Sequence, residues 1–204
     1  MTNRSLAIAL LEFETTAHGL LAVDTMLKNS PIALLRCGTV HPGRYLVLVG
    51  GSVASVDEAY EEGLAVGQVR DSVLLPDPHP GLRAALELRP RPDEAEAMAV
   101  FETLSSPSLL RGIDAALKTT PVHLAELRLS DDLGGRGLAI LTGTLTDLTA
   151  ALDIARTRAG VAGWTVASTI MPRVEPLVRS IVAEGTSLRG CSEHVLEDAE
   201  TVEG

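Results

Sequence analysis

The sequence predicts an α+β protein made of two tandem ferredoxin-like units, each with the order β-α-β-β-α-β. Three observations lead to this prediction. The chain repeats itself once in register, each copy alternates short apolar runs with segments of helical spacing, and the composition is strongly apolar. Hydrophobic residues make up 46% of the 204 residues and aromatic residues only 2%. The core must therefore be built from Leu, Val, Ile and Ala.

The internal repeat covers most of the chain. The segment ALLEFETTAHGLLAVDTMLKNSPIAL, which begins at Ala9, aligns without gaps on AVFETLSSPSLLRGIDAALKTTPVHL, which begins at Ala99. Identical residues stand at matched positions, in the pairs Glu12/Glu102, Asp24/Asp114, Lys28/Lys118 and Pro31/Pro121. Two residues are then inserted in the second copy, after which Gly43-Arg44 aligns with Gly135-Arg136. Further on, SVLLPDPHP, which begins at Ser72, matches STIMPRVEP, which begins at Ser168. A duplication of this extent indicates two copies of one folding unit.

Within each copy, the apolar pattern predicts the same succession of elements. In the first copy we expect a strand at 7–14, a helix at 16–29, a hairpin of strands at 32–39 and 44–49, a helix at 52–67, a strand at 68–75 and a short helix at 80–88. In the second copy, Ser106 followed by Pro107 predicts a helix start with Ser106 as the N-cap. Thr144, with Asp147 three residues on, is similar to a capping box.

The predicted domain boundaries follow from the repeat. The first domain spans 1–88 and the second spans 97–184, and the proline-rich, charged segment 89–96 links them. The acidic segment 185–204 has no periodicity, and we expect it to be a mobile tail. The alternative for this tail is a docking peptide that is anchored by Val195-Leu196.

Composition excludes several classes of partner and compartment. A net charge of −10, with no basic stripe, argues against nucleic acid or an anionic membrane as partner. The two cysteines, Cys37 and Cys191, form no zinc or redox motif and are expected to be free thiols in a reducing cytoplasm. No apolar stretch approaches the roughly 18 residues that span a bilayer, and the N-terminus has no signal-peptide pattern. We therefore expect a soluble cytoplasmic protein.

The duplicated pattern resembles a known family. Each copy has a D-x-x-L-K helix end, a glycine turn and a strand that ends in Gly, as in the shell proteins of bacterial microcompartments (BMC). The tandem, non-permuted order is similar to the trimeric class (BMC-T), which includes the iron–sulfur-binding shell protein of propanediol-utilisation compartments. The resemblance spans 7–184. It implies two BMC domains per chain and a homotrimer that forms a pseudohexameric disc, tiled with other shell proteins around encapsulated enzymes.

The resemblance also implies which residues lie at the disc edge. Lys28 and Lys118 match the family's edge lysine, and Arg173 in MPRVEP matches the edge arginine that inserts into a neighbouring disc. The first copy differs here, because Asp77 stands at the arginine's place with His79 close by. Alternate edges of the disc are then expected to differ chemically.

The same resemblance places the turns 39–44 and 130–136 around a central pore for small metabolites, cofactors or electrons. The expected pore residues are Thr39, Val40, His41, Pro42, Gly43, Asp131, Asp132, Leu133, Gly134 and Gly135. Backbones that converge on an axis leave little room for side chains and often need positive φ, which explains the glycines. Arg44 and Arg136 follow the two turns, where they are expected to balance the loop carboxylates or to face passing anions.

His41 is the distinctive pore residue, because the iron–sulfur relative has a cysteine at this place. Cys37 lies inside the preceding predicted strand, so it does not replace that cysteine directly. Three interpretations of His41 stay open. It is a polar pore-lining residue, or one of three imidazoles around a divalent metal ion, or part of a retained iron–sulfur site. No cofactor is certain from the sequence.

No catalytic motif accompanies these features. The sequence has no nucleophile elbow, zinc-protease motif, Walker loop or dinucleotide-binding fingerprint, so we expect no enzyme. The predicted function is a structural shell protein with a pore, located in the shell of a cytoplasmic microcompartment. The alternative is a tandem ferredoxin-like regulatory protein that binds a small ligand.

Overall fold

A computed structural model describes residues 7–88, 90, 95–130, 132–160, 165–190 and 192. The first copy contains four strands and three helices: β1 (Ala7–Phe13), α1 (Thr16–Asn29), β2 (Leu34–Val40), β3 (Arg44–Gly51), α2 (Val53–Ala65), β4 (Val69–Leu75) and α3 (Pro80–Glu87). The second copy repeats them as β5 (Ala97–Thr103), α4 (Ser106–Thr119), β6 (His123–Leu129), β7 (Gly137–Gly143), α5 (Leu145–Arg158), β8 (Thr165–Met171) and α6 (Pro176–Glu184). A short 3₁₀ helix follows at Leu188–Gly190.

Each copy folds around a four-stranded antiparallel sheet. The strand order is β2-β3-β1-β4 in the first sheet and β6-β7-β5-β8 in the second. In the first sheet Leu10 of β1 lies opposite Leu48 of β3 and Val73 of β4. This order and orientation are those of a ferredoxin-like unit, so the predicted α+β fold is confirmed.

The two faces of each sheet pack against different partners. Successive side chains along a strand point to opposite faces. On one face of the first sheet, Leu11 and Phe13 pack in a core with Ala22 and Met26 of the same unit's own helix α1. On the opposite face, which we call the outer face, Leu10 joins a core that includes residues of the second unit.

Helix α4 of the second unit lies on the outer face of the first sheet. It packs against β1 and β4, and α3 packs in turn against α4 and β6. The shared core joins Val73, Leu75 and Leu82 of the first unit to Leu110 and Ile113 of α4. One unit thus covers the outer face of the other within a single chain.

Local signals place the helix ends within two residues of the predicted ones; α2, for example, ends at Ala65 rather than at residue 67. Helix α1 begins and ends at the predicted residues, and its N-cap Thr15 accepts a hydrogen bond from the His18 N–H. Thr144 caps α5 by accepting from the Asp147 N–H. The prediction of Ser106 as a cap was wrong, because Ser105 is the N-cap of α4 and Ser106 is its first helical residue.

No helix in the described part of the chain is both long and apolar enough to cross a membrane. Residues 89 and 91–94 of the predicted linker, and 191 and 193–204 of the predicted tail, lie outside the described residues. The domain boundaries stay predictions.

Candidate pore loops and assembly surfaces

The first predicted pore loop is the tip of the β2–β3 hairpin. His41, Pro42 and Gly43 join the two strands, and all three residues are exposed. The Gly43 N–H donates to the Val40 carbonyl at 3.0 Å, which closes the turn. Gly43 has φ of +91°, a conformation that residues with a Cβ rarely adopt. The glycine is therefore required by the backbone of this turn.

The second predicted loop is longer and joins β6 to β7. Its ends are held by the Ser130 N–H, which donates to the Arg136 carbonyl at 3.1 Å. Gly134 and Gly135 have φ of +60° and +84°, and Asp132 also has positive φ. Asp132 is exposed and Leu133 is half-buried, whereas Asp131 lies outside the described residues.

Arg44 connects the two loops. Its Nη1 donates to Glu12 Oε1 at 2.7 Å and to the Gly135 carbonyl at 3.3 Å. A Cβ added at Gly135 would lie 2.5 Å from Arg44 Nη1, so a side chain here would displace the guanidinium group from this position. Among the described residues, the acidic partner of Arg44 is the buried Glu12 at the end of β1, rather than the expected carboxylate of a pore loop.

Glu12 joins the first unit to the second. Its carboxylate is fully buried, and Oε2 accepts from the Ser106 N–H at 3.2 Å, at the first turn of α4. Arg70 Nε lies 3.6 Å from Oε1. Burial raises the pKa of Glu12, although Arg44, Ser106 and Arg70 oppose that rise. We call the group formed by Glu12, Arg44, the Ser106 N–H and the Gly135 carbonyl the Glu12 clamp.

The matching residues of the second unit form a looser pair. Arg136 Nη1 lies 3.8 Å from Glu102 Oε2, and the two side chains are 52% and 30% exposed. In the Glu12 clamp the corresponding side chains of Arg44 and Glu12 are 15% and 0% exposed. The matched arginine and glutamate side chains are thus close together and buried in the first unit, and further apart and partly exposed in the second.

A second polar contact crosses the junction between the units at Asp71 of β4. Asp71 Oδ2 accepts from the Ser105 hydroxyl and, at 2.9 Å, from the Ser108 hydroxyl. Arg111 Nη2 donates to Asp71 Oδ1 at 3.2 Å and to the Ser72 carbonyl at 2.6 Å. We call Asp71 and these three partners the junction lock.

The sequence reasoning missed the junction lock. Arg111 and Asp71 have no charged counterpart in the other copy, because the repeat places Leu21 and Ala167 at the matching positions. A comparison that searches for identical residues passes over such sites. The sequence signal for such a site is a charged residue in one copy that aligns with an apolar residue in the other.

The predicted edge residues lie in unequal surroundings. Lys28 pairs with Asp24 at 2.6 Å, and both side chains are more than half exposed. Lys118 pairs with Asp114 at the same distance, but Asp114 is buried. Asp114 also accepts from the His79 N–H at 2.7 Å, so His79 stands at the junction between the units.

The remaining edge residues are at the surface. Asp77 follows β4 and Arg173 follows β8, and both are exposed. His79 is the N-cap of α3 through its Nδ1, which accepts from the Gly81 N–H at 3.1 Å. The matching N-cap of α6 is Glu175, which makes no side-chain capping hydrogen bond.

Metal or cluster binding at the first loop would depend on His41. Among the described residues of one chain, no three His, Cys, Asp or Glu side chains converge on a metal-sized site. The loop carries an imidazole and no thiol. Cys37 lies in β2, where its sulfur accepts from the Tyr45 hydroxyl at 3.4 Å, a contact that together with burial raises the pKa of Tyr45 to about 12. These residues do not fit a cluster held by thiolates.

Comparison with known proteins assigns the family. The BMC domain family matches residues 7–78 and again 97–174. A bacterial microcompartment shell protein of Citrobacter freundii, PduT, is 31% identical over 89% of this chain and 100% of its own length. The carboxysome assembly protein CcmO of Synechocystis is 28% identical and matches 74% of this chain but 56% of its own length.

Solved structures agree with these matches. A microcompartment protein from Desulfitobacterium hafniense superposes with a TM-score of 0.75 at 30% identity, over 86% of this chain and 98% of its own. A fused, permuted hexameric shell protein from the RMM microcompartment gives a TM-score of 0.56 at 17% identity, over 78% of this chain and 86% of its own. The latter likeness concerns the fold alone.

Proposed function

The chain belongs to the BMC-domain family of bacterial microcompartment shell proteins, in its tandem-domain class, and we propose that three copies close into a pseudohexameric disc with a central pore. The disc is a structural tile of the shell rather than an enzyme. The observation that carries the proposal is an imbalance in burial between matched surfaces of the two units.

The first half of this imbalance lies on the matched helices α1 and α4. Leu110 and Leu117 of α4 are 0% and 6% exposed, because α4 lies on the first unit. Their counterparts in α1, Leu20 and Leu27, are 53% and 56% exposed. An exposed apolar stripe on one copy, matching a buried stripe on the other, supports an interface with a further chain.

The second half lies on the outer faces of the sheets. Val73 is 5% exposed under α4, whereas its counterpart Thr169 is exposed. Leu82 of α3 is fully buried, whereas its counterpart Val178 of α6 is 36% exposed. The second unit therefore offers an outer face of the kind that α4 covers on the first unit.

These two surfaces complement each other. Helix α4 covers the outer face of the first unit within one chain. If α1 covers the outer face of the second unit of the next chain in the same way, the outer face of every unit is covered by a helix. Such a contact is heterologous, so it continues from chain to chain until the ring closes. Three chains supply six units, the number that the family resemblance implies. Burying two half-exposed leucines contributes roughly 1 kcal/mol each per interface.

Within such a disc, the loops 39–44 and 130–136 would alternate around the axis. The pore would then be lined by His41, Pro42 and Gly43 from one loop and by Asp132 to Gly135 from the other. Exposed His41 and Asp132 give this lining a polar character that suits small polar metabolites. We propose His41 as a polar pore residue, with metal binding by three such imidazoles as an outcome that measurement of bound metal decides.

The disc edges would connect the protein to its neighbours in the shell. We propose that Lys28, Lys118 and Arg173 contact adjacent shell proteins, with Asp77 and His79 making alternate edges different. This would place the protein in the shell of a bacterial microcompartment in the cytoplasm, around encapsulated enzymes.

Two measurements test this function. Sedimentation equilibrium should give the mass of three chains, and electron microscopy of concentrated protein should show sheets or tubes of discs. Lys28→Ala combined with Arg173→Ala should abolish the sheets and leave the trimer mass unchanged. A monomer or dimer whose melting temperature rises with a small ligand would instead support the regulatory alternative.

A further inference from the structure

The Glu12 clamp ties two units of one chain together. Glu12 and Arg44 come from the first unit, and the Ser106 N–H and the Gly135 carbonyl come from the second. The carboxylate satisfies an N–H at the start of α4, one of the donors that lack a partner within their own helix. The guanidinium group fixes a carbonyl at the tip of the other loop. One contact thus sets both the junction and the relative position of the two loops.

Every part of this clamp has a counterpart in the repeat. Glu102 matches Glu12, Arg136 matches Arg44, Thr16 matches Ser106 and Gly43 matches Gly135. The two side chains are identical, and the other two groups are a backbone N–H and a backbone carbonyl. Thr16 is the first residue of α1, as Ser106 is of α4. All the chemistry of a second clamp is therefore present in the sequence.

Within one chain, this second set is divided between distant surfaces. Glu102 and Arg136 stand at the open outer face of the second unit, with side chains 30% and 52% exposed. Thr16 and Gly43 belong to the first unit, whose α1 carries the exposed leucine stripe. Glu102 and Arg136 therefore lie at the open surface that a neighbouring chain would cover.

We propose that Glu102 and Arg136 complete a second clamp with the next copy of the chain. Glu102 accepts from the Thr16 N–H of the neighbouring copy, and Arg136 donates to its Gly43 carbonyl. This inference rests on the proposed trimer. It adds that ring closure gives the Gly43 carbonyl an arginine partner in the neighbouring chain, as Arg44 gives one to the Gly135 carbonyl within the chain.

The ion-pair distances in the Glu12 clamp and in the Glu102–Arg136 pair differ as this assignment requires. The carboxylate–guanidinium distance is 2.7 Å where both backbone partners are in place and 3.8 Å where they are not. Desolvation on closure would strengthen the hydrogen bonds of the charged groups, as in the Glu12 clamp. Nothing lies within 4 Å of a Cβ built on Gly43, which leaves room for an arriving arginine beside this glycine. Beside Gly135, that room is taken by Arg44.

Cross-linking tests the assignment directly, in the 204-residue chain with Cys37→Ser and Cys191→Ser. Thr16→Cys with Glu102→Cys should join different chains through a short bifunctional thiol reagent, giving dimers and trimers on a denaturing gel. The matched pair Glu12→Cys with Ser106→Cys should join residues of one chain, so its product should run as a single chain on the gel. Absence of inter-chain products in a sample of trimeric mass would overturn the inference.

A second measurement avoids the risk that the cysteine pairs disturb folding. Glu102→Gln and Arg136→Met should each raise the trimer dissociation constant by about tenfold or more, since each removes a charge-assisted hydrogen bond. Glu61→Gln, on an exposed position of α2, serves as the control and should leave it unchanged. If both variants, Glu102→Gln and Arg136→Met, keep the wild-type dissociation constant, the proposed second clamp is also overturned. A wild-type protein without trimeric mass would instead refute the proposed disc, so the two failures are distinguishable.

Discussion

Arg111 of the second unit and Asp71 of the first form an ion pair across the junction, with Nη2 and Oδ1 3.2 Å apart. The pair belongs to the junction lock, in which the Asp71 carboxylate also accepts from two serine hydroxyl groups. The matching positions, Leu21 and Ala167, carry no charge. The contact within the chain and its proposed counterpart between chains thus differ in polarity.

Removal of the Asp71 carboxylate should weaken the junction within the chain. Asp71→Ala leaves Arg111 and the two serine hydroxyls without this acceptor, and we expect a loss of roughly 2–4 kcal/mol in the free energy of unfolding. Urea titration measures the loss. The control is Asp153→Ala, which breaks the exposed surface pair with Arg156 and should cost less than about 1 kcal/mol. Equal effects for the two variants would contradict the importance of the lock.

Transfer of the ion pair to the matching positions should strengthen the trimer. Leu21→Arg combined with Ala167→Asp places the two charges where the proposed contact between chains repeats the junction. We expect slower subunit exchange between labelled and unlabelled protein for the double variant than for either single variant. High salt should reduce the gain, because it screens partly exposed charges. A double variant no slower than the single ones would argue against this packing of α1.

An acidic residue on the leucine stripe should dissociate the trimer. Leu20→Asp places a charge at a position that is 53% exposed in one chain and whose counterpart is fully buried. Leu145→Asp is a matched control, because Leu145 is 50% exposed and its counterpart Val53 is exposed to 49%. Sedimentation equilibrium should find monomers for Leu20→Asp and trimers for Leu145→Asp. Trimers in both samples would show that α1 lies outside the interface.

The Glu12 carboxylate should make stability depend on pH with a definite sign. Burial raises the pKa of Glu12 above its ordinary 4.5, so the folded protein binds this proton more tightly than the unfolded chain does. The resulting stabilisation is complete below the ordinary value and is lost as pH rises through the folded value. Relative to Glu12→Gln, the wild type should therefore gain unfolding free energy as pH falls from neutral toward 4.5. Urea titrations of both proteins across this range measure the difference, and a difference that grows with rising pH would refute the sign.

Metal binding by His41 has a simple elemental test. If three imidazoles hold an ion at the axis, tag-free protein should contain one divalent metal per trimer and His41→Ala should contain none. If His41 is only a polar pore residue, the two proteins should contain the same background metal. Measurement by inductively coupled plasma mass spectrometry, with trimer mass checked for both samples, separates these outcomes.

The sequence by itself determined the units, their element order and the family. Strand alternation, helical spacing, proline and glycine positions and N-caps are properties of neighbouring residues, so the elements of β1 to α3 lie within a few residues of their predicted bounds. The duplication then supplied the second unit. The cap of α4 shows the limit, since Ser105 and Ser106 are both plausible caps from local sequence and the backbone selects Ser105.

Only the tertiary structure decided which of two matched residues is buried. Glu12 and Glu102 occupy equivalent places, yet the Ser106 N–H that Glu12 meets lies 94 residues away in sequence. Leu20 and Leu110 read alike for the same reason, because periodicity assigns a residue to a helix face but not to a partner. Burial depends on which unit packs against which face, and that is settled by contacts between residues far apart in the chain.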